Sequence, residues 1–143
     1  MLRSVIYLFL GLVLFLSACS GSKAVTYKAT LLGANEKPSP VVSPATGSAT
    51  AVLNGKKLTV TGNFQNLSSD VTMAHVHRVS AADGTGGVVF ALEITSSDKR
   101  GGGLSGSGSL SDADVELLQG GKFYINVHSN NFASGEIRGD LAK

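Results

Sequence analysis

Residues 46–67 read TGSATAVLNGKKLTVTGNFQNL, and this stretch decides the fold. Two runs of alternating character, Thr46 to Leu53 and Leu58 to Leu67, flank Asn54-Gly55. An Asn-Gly pair supplies the positive φ angles of a tight two-residue turn, so the stretch predicts a β-hairpin. Similar runs recur outward from it. Val25 to Leu32 precedes the hairpin, separated from it by a loop carrying Pro38, Pro40 and Pro44, residues that cannot continue a sheet ladder. Downstream lie Val71 to Val79, Val88 to Ile94, a small-residue run ending near Leu110, and a late pair at Lys122 to Ser129 and Gly135 to Leu141. Turn chemistry separates them, notably Asp83-Gly84-Thr85-Gly86-Gly87 and Gly101-Gly102-Gly103. The expected fold is all-β: a single antiparallel, Greek-key-like β-sandwich of about eight strands with one short helix. That helix starts at Ser111-Asp112-Ala113-Asp114, presents Val115, Leu117 and Leu118, and stops at Gly120-Gly121. It has room for two turns and is expected to plug one end of the sandwich.

Composition agrees with this architecture. The chain has 143 residues, of which 18 are glycine, against a usual share of about 7%. Twelve Lys and Arg against ten Asp and Glu give a net charge of +2. That is too little basic surface for a phosphate backbone, so no nucleic-acid partner is expected. One cysteine excludes an internal disulfide framework and a cysteine-built zinc knuckle.

The N-terminus has a separate logic. Arg3 precedes an apolar run from Val5 to Leu16, shorter than the roughly 20 residues that span a membrane. It reads as a secretory signal. Leu16-Ser17-Ala18-Cys19 resembles a bacterial lipobox, which implies a signal peptide over residues 1–18, cleaved to leave a lipidated Cys19. Residues 19–24 then form the acylated tether and 25–143 the folded domain. Two or more acyl chains give lasting attachment, so the expected location is the bacterial cell envelope, with the membrane as a partner through the anchor. Ser20 after the cysteine resembles a signal for the outer membrane in a cell with two membranes.

Ala74-His75-Val76-His77, then Val88-Val89, then Gly121-Lys122-Phe123-Tyr124-Ile125-Asn126-Val127-His128-Ser129 running into Gly135-Glu136-Ile137-Arg138-Gly139, resemble the chordin-type (CHRD) domain. The resemblance extends from about Val25 to Leu141 and takes in the early turn Gly33-Ala34-Asn35-Glu36-Lys37-Pro38. Two features depart from the family pattern. Arg78 stands where glycine is usual, and residues 129–134 lack the usual proline. The resemblance implies a fold more than an activity. In animals the domain belongs to a secreted growth-factor antagonist whose activity rests largely on other modules.

The three histidines pose the chemical question. Residues two apart on a strand share a face, so His75 and His77 project together, as do Tyr124, Asn126 and His128, and as do Glu136 and Arg138. One patch gathering these groups has two readings. In the first, Glu136 and Arg138 pair with the imidazoles, Tyr124 and Asn126 in a network that locks the sheet register and needs no cofactor. In the second, His75, His77 and His128 bind copper or zinc, with water or Glu136 completing the set. A strand His-x-His within a sandwich also resembles the copper ligands of copper/zinc superoxide dismutase, although that constellation needs more histidines than this chain has.

The network is the preferred expectation, since it requires no ligand. No enzyme signature accompanies it: no GxSxG elbow and no phosphate-loop lysine occur, and Cys19 is committed to acylation. Asp112, Asp114 and Glu116 suit a helix start better than acid/base catalysis. The expected function is therefore a non-catalytic binding or structural module, lipid-anchored in the envelope, facing an unidentified envelope or extracellular protein. A three-histidine copper or zinc binder is the alternative.

Overall fold

The computed structural model describes residues 23–96 and 98–143. The expected signal peptide and the expected lipidation site at Cys19 lie outside these residues. Among the described residues nine strands form: β1 (Val25–Leu32), β2 (Thr46–Asn54), β3 (Lys57–Gln65), β4 (Val71–Arg78), β5 (Val88–Ala91), β6 (Glu93–Ser96), β7 (Gly102–Ser109), β8 (Phe123–Ser129) and β9 (Ile137–Asp140). A 3-10 turn covers Gly33–Asn35, and the helix α1 spans Asp112–Gln119. No helix among the described residues is long and apolar enough to cross a membrane.

The predicted hairpin is β2–β3, with Asn54 opposite Lys57 and Gly55 at φ 60°. Alternation along it puts Ala49, Ala51 and Leu53 of β2 and Leu58, Val60 and Phe64 of β3 into the core. The helix is capped as expected, the Ser111 hydroxyl accepting from the Asp114 amide, and it ends before Gly121 at φ +69°. It inserts the fully buried Leu118 into the core. Arg78, the departure from the family pattern, donates to Asp114 Oδ1 at 2.7 Å and so ties the end of β4 to this helix.

The spatial order β5-β4-β8-β9-β1-β2-β3-β7-β6 is antiparallel throughout. The strand expected over Val88 to Ile94 divides at Leu92, which raises the count from eight to nine. Its first half pairs with β4 and its second with β7, while the Leu92 amide donates to Ala74. Both edges of the sheet thus belong to one continuous run, and the sandwich is nearly closed. Gly108 and Gly106 of β7 permit this approach, because a Cβ at either would fall on Phe90 or Leu92. Closure leaves little open edge for unwanted pairing.

Strand β8 holds the central place. All seven of its residues are buried. Phe123, Ile125 and Val127 point into the apolar core, so Tyr124, Asn126 and His128 occupy the outer face. An outer face is buried only when something covers it. Here three loops form a roof, contributed by residues around Glu36, Gly84–Gly86 and Ala133.

Candidate metal centre

Register brings the histidines together. On β4, Ala74 and Val76 face the core, which turns His75 and His77 to the roofed side. Asn126 lies opposite His75 and Tyr124 opposite His77. His128 is the diagonal neighbour of His75, close enough for the rings to meet. His75 Nδ1 lies 3.1 Å from His128 Nε2, and one nitrogen from each of the three imidazoles falls within 4.8 Å of the others. His77 and His128 are buried and His75 is half-buried.

The roof fixes the ring orientations. His77 Nδ1 lies 3.0 Å from the Gly86 carbonyl and His128 Nδ1 lies 3.1 Å from the Ala133 carbonyl. A carbonyl oxygen only accepts, so each Nδ1 carries the proton and each Nε2 presents a lone pair. The His128 lone pair accepts from His75 Nδ1–H. The His77 lone pair is buried and has no partner among the described residues. Pinning one ring nitrogen by a carbonyl so that the other is aimed is how proteins orient metal-binding imidazoles. Burial lowers the affinity of all three rings for a proton, and His75 and His77 repel additional charge on His128, which titrates at about 4. Neutral imidazole is the ligating form.

The spacing suits one ion. Two nitrogens 3.1 Å apart subtend about 100° at bonds of ~2.0–2.1 Å, between square and tetrahedral geometry. Drawing the widest pair in to tetrahedral spacing requires at most about 1.5 Å.

The remaining predicted residues separate into two groups. Tyr124, Asn126 and Arg138 join the patch. The Tyr124 ring stacks on His77 with centroids 4.8 Å apart, and the Arg138 guanidinium covers its other face at 3.6 Å. Arg138 also donates to Asp140 Oδ1 and to the Gly84 carbonyl, so it holds the roof down instead of pairing with an imidazole.

Glu136 does not join. Its carboxylate accepts from Ser43 Oγ and the Ser68 amide on one oxygen and from Ser129 Oγ on the other, with no imidazole among its partners. The expected sharing of a face with Arg138 fails because regular β9 begins only at Ile137. Gly135, at φ +135°, turns the chain immediately before Glu136, so the two-residue alternation does not carry back to it. Burial acts to raise the Glu136 pKa, but the serine hydrogen bonds outweigh it and hold the carboxyl below its ordinary value.

Glu36 takes the place foreseen for Glu136. It is buried, accepts from Asn126 Nδ2 at 3.2 Å, and sits in the field of Arg138. Desolvation pushes its pKa up to about 7. The early Gly33-Ala34-Asn35-Glu36-Lys37-Pro38 turn was the only signal for it in the sequence.

A family model for the CHRD domain matches residues 27–141. The chain belongs to the CHRD family. Both histidine segments and the Glu36 turn fall inside the match. Comparison with curated proteins and with solved structures returned no match.

Proposed function

We propose that this CHRD domain is a non-catalytic metal-binding module of the bacterial cell envelope, holding one copper or zinc ion on His75, His77 and His128. One observation carries the reading. The His77 Nε2 lone pair is buried and unpartnered beside two further imidazole nitrogens, in rings whose orientation backbone carbonyls already fix. A buried acceptor without a partner costs stability. A metal ion supplies what it lacks. The register-lock reading keeps a share of the patch, since Arg138, Tyr124 and Asn126 brace the roof, but it gives the His77 nitrogen no use.

Attachment through an acylated Cys19 is supported by the lipobox-like Leu16-Ser17-Ala18-Cys19 after its apolar run. It would place the ion-binding domain close to a lipid surface.

Metal analysis of the untagged protein after dialysis against copper or zinc tests the metal reading. The expectation is one ion per chain in the native protein and loss of it in His77→Ala and His128→Ala. Equal metal content in native and variant proteins contradicts it. Cys19→Ser should abolish incorporation of radiolabelled palmitate, and persistent labelling contradicts the anchor.

A further inference from the structure

Met73 is one of few large apolar side chains left exposed among the described residues, at 48%. Its position is informative. On β4 it shares the outer face with His75 and His77, two and four residues on. Across the sheet it is the direct partner of His128, and directly opposed residues hold their Cβ atoms about 4.5–5.5 Å apart. This pair continues the register of Ala74 opposite Val127 and His75 opposite Asn126 without a break, and the ladder shifts only beyond it, where Val71 opposes Ser129 with Thr72 as the extra residue. Met73 therefore sits on the sheet beside His75 and His128, the two residues whose ring nitrogens lie 3.1 Å apart, and its side chain is open to solvent. A long unbranched side chain with three rotatable bonds can bring its sulfur over them.

We infer that Met73 is a fourth ligand and that the centre selects copper(I). The inference rests on the three-histidine reading and adds to it the identity of the ion. Two physical arguments converge. Thioether sulfur is a soft donor that favours copper(I) over zinc, whereas imidazole accepts either. The donor set is also neutral throughout, because among the described residues no carboxylate belongs to the cluster, and the ionised side chain stacked behind it is the Arg138 cation. The cost of burying an ion rises with the square of its charge, so a divalent ion without anionic ligands pays about four times the penalty of a monovalent one. Binding requires no net proton release. His75 transfers its ring proton from Nδ1 to Nε2 and offers Nδ1 to the metal in place of its hydrogen bond to His128.

The test uses the full-length chain without a tag, titrated anaerobically with copper(I) against a colorimetric chelator and separately with zinc(II), in native and Met73→Leu forms. Leucine keeps the size and apolarity of an exposed side chain, so folding is not at stake. The native chain should take up one copper(I) and prefer it to zinc. Met73→Leu should weaken copper(I) binding by about tenfold or more while leaving zinc affinity unchanged. X-ray absorption should show a sulfur scatterer at about 2.3 Å in the native copper complex and none in the variant. Equal copper(I) affinity in both forms with an all-nitrogen shell overturns the ligand role of Met73 while the three-histidine centre stands. A native chain that binds neither ion overturns both.

Discussion

Two glutamates show how much a single residue's surroundings decide. Glu136 and Glu36 are both buried, yet one is held ionised by three serines and the other is pushed toward neutrality by desolvation. Glu36 titrates at about 7 when folded, against an ordinary value of 4.5, so between these values the folded chain holds a proton that the unfolded chain has released. Its burial carries no penalty below about pH 4.5, and stability falls as pH rises toward 7. Glu36→Gln removes the dependence. The variant should gain stability relative to the native chain between pH 4.5 and pH 8, by up to about 3 kcal/mol in urea unfolding. His128, with its pKa depressed to about 4, works in the opposite sense, its contribution being lost as pH falls from 6.5 toward 4. Comparison of the two proteins at each pH cancels that term. Parallel stability curves would contradict the placement of Glu36. The sequence reading missed this residue because it lies in a loop, where no alternation rule says what a side chain will meet.

At the scale of elements, strands and roof behave differently. Side-chain alternation on β4 and β8 was legible in the sequence, and with it the meeting of His75, His77 and His128. The same rule failed for Glu136, one residue outside a regular strand, and it gave no sign that Val88 to Ile94 would divide between two sheet edges. Long-range register is set by packing, which a local pattern does not contain. The roof was legible only as turn chemistry. Gly86 illustrates its function: a Cβ there would fall on the Arg78 carbonyl, and its own carbonyl aims His77. Gly86→Ala should therefore displace this loop and weaken metal binding by about 10–100-fold, because a group that orients a ligand has been moved. Circular dichroism should still report the native sheet. Unchanged affinity would mean that the roof has no part in orienting His77.

Across the whole molecule, the nearly closed sandwich separates two tasks. The apolar core of Tyr27, Leu31, Leu58, Phe123, Ile125 and Ile137 stabilises the sheet from within. The outer face of β4 and β8 is thereby free to carry polar chemistry under loops that the core does not need. Strand β8 serves both, which is why every residue of it is buried. The account stands on the convergence of three neutral imidazoles upon one ion. Nitrogen-resolved NMR of the histidine rings during copper(I) titration tests it most directly. The account predicts that His75 Nδ1, His77 Nε2 and His128 Nε2 shift together and saturate at one equivalent, while the carbonyl-bound Nδ1 atoms of His77 and His128 keep their protons. Ring signals that stay in place as copper(I) is added, or that respond at one histidine alone, would contradict it.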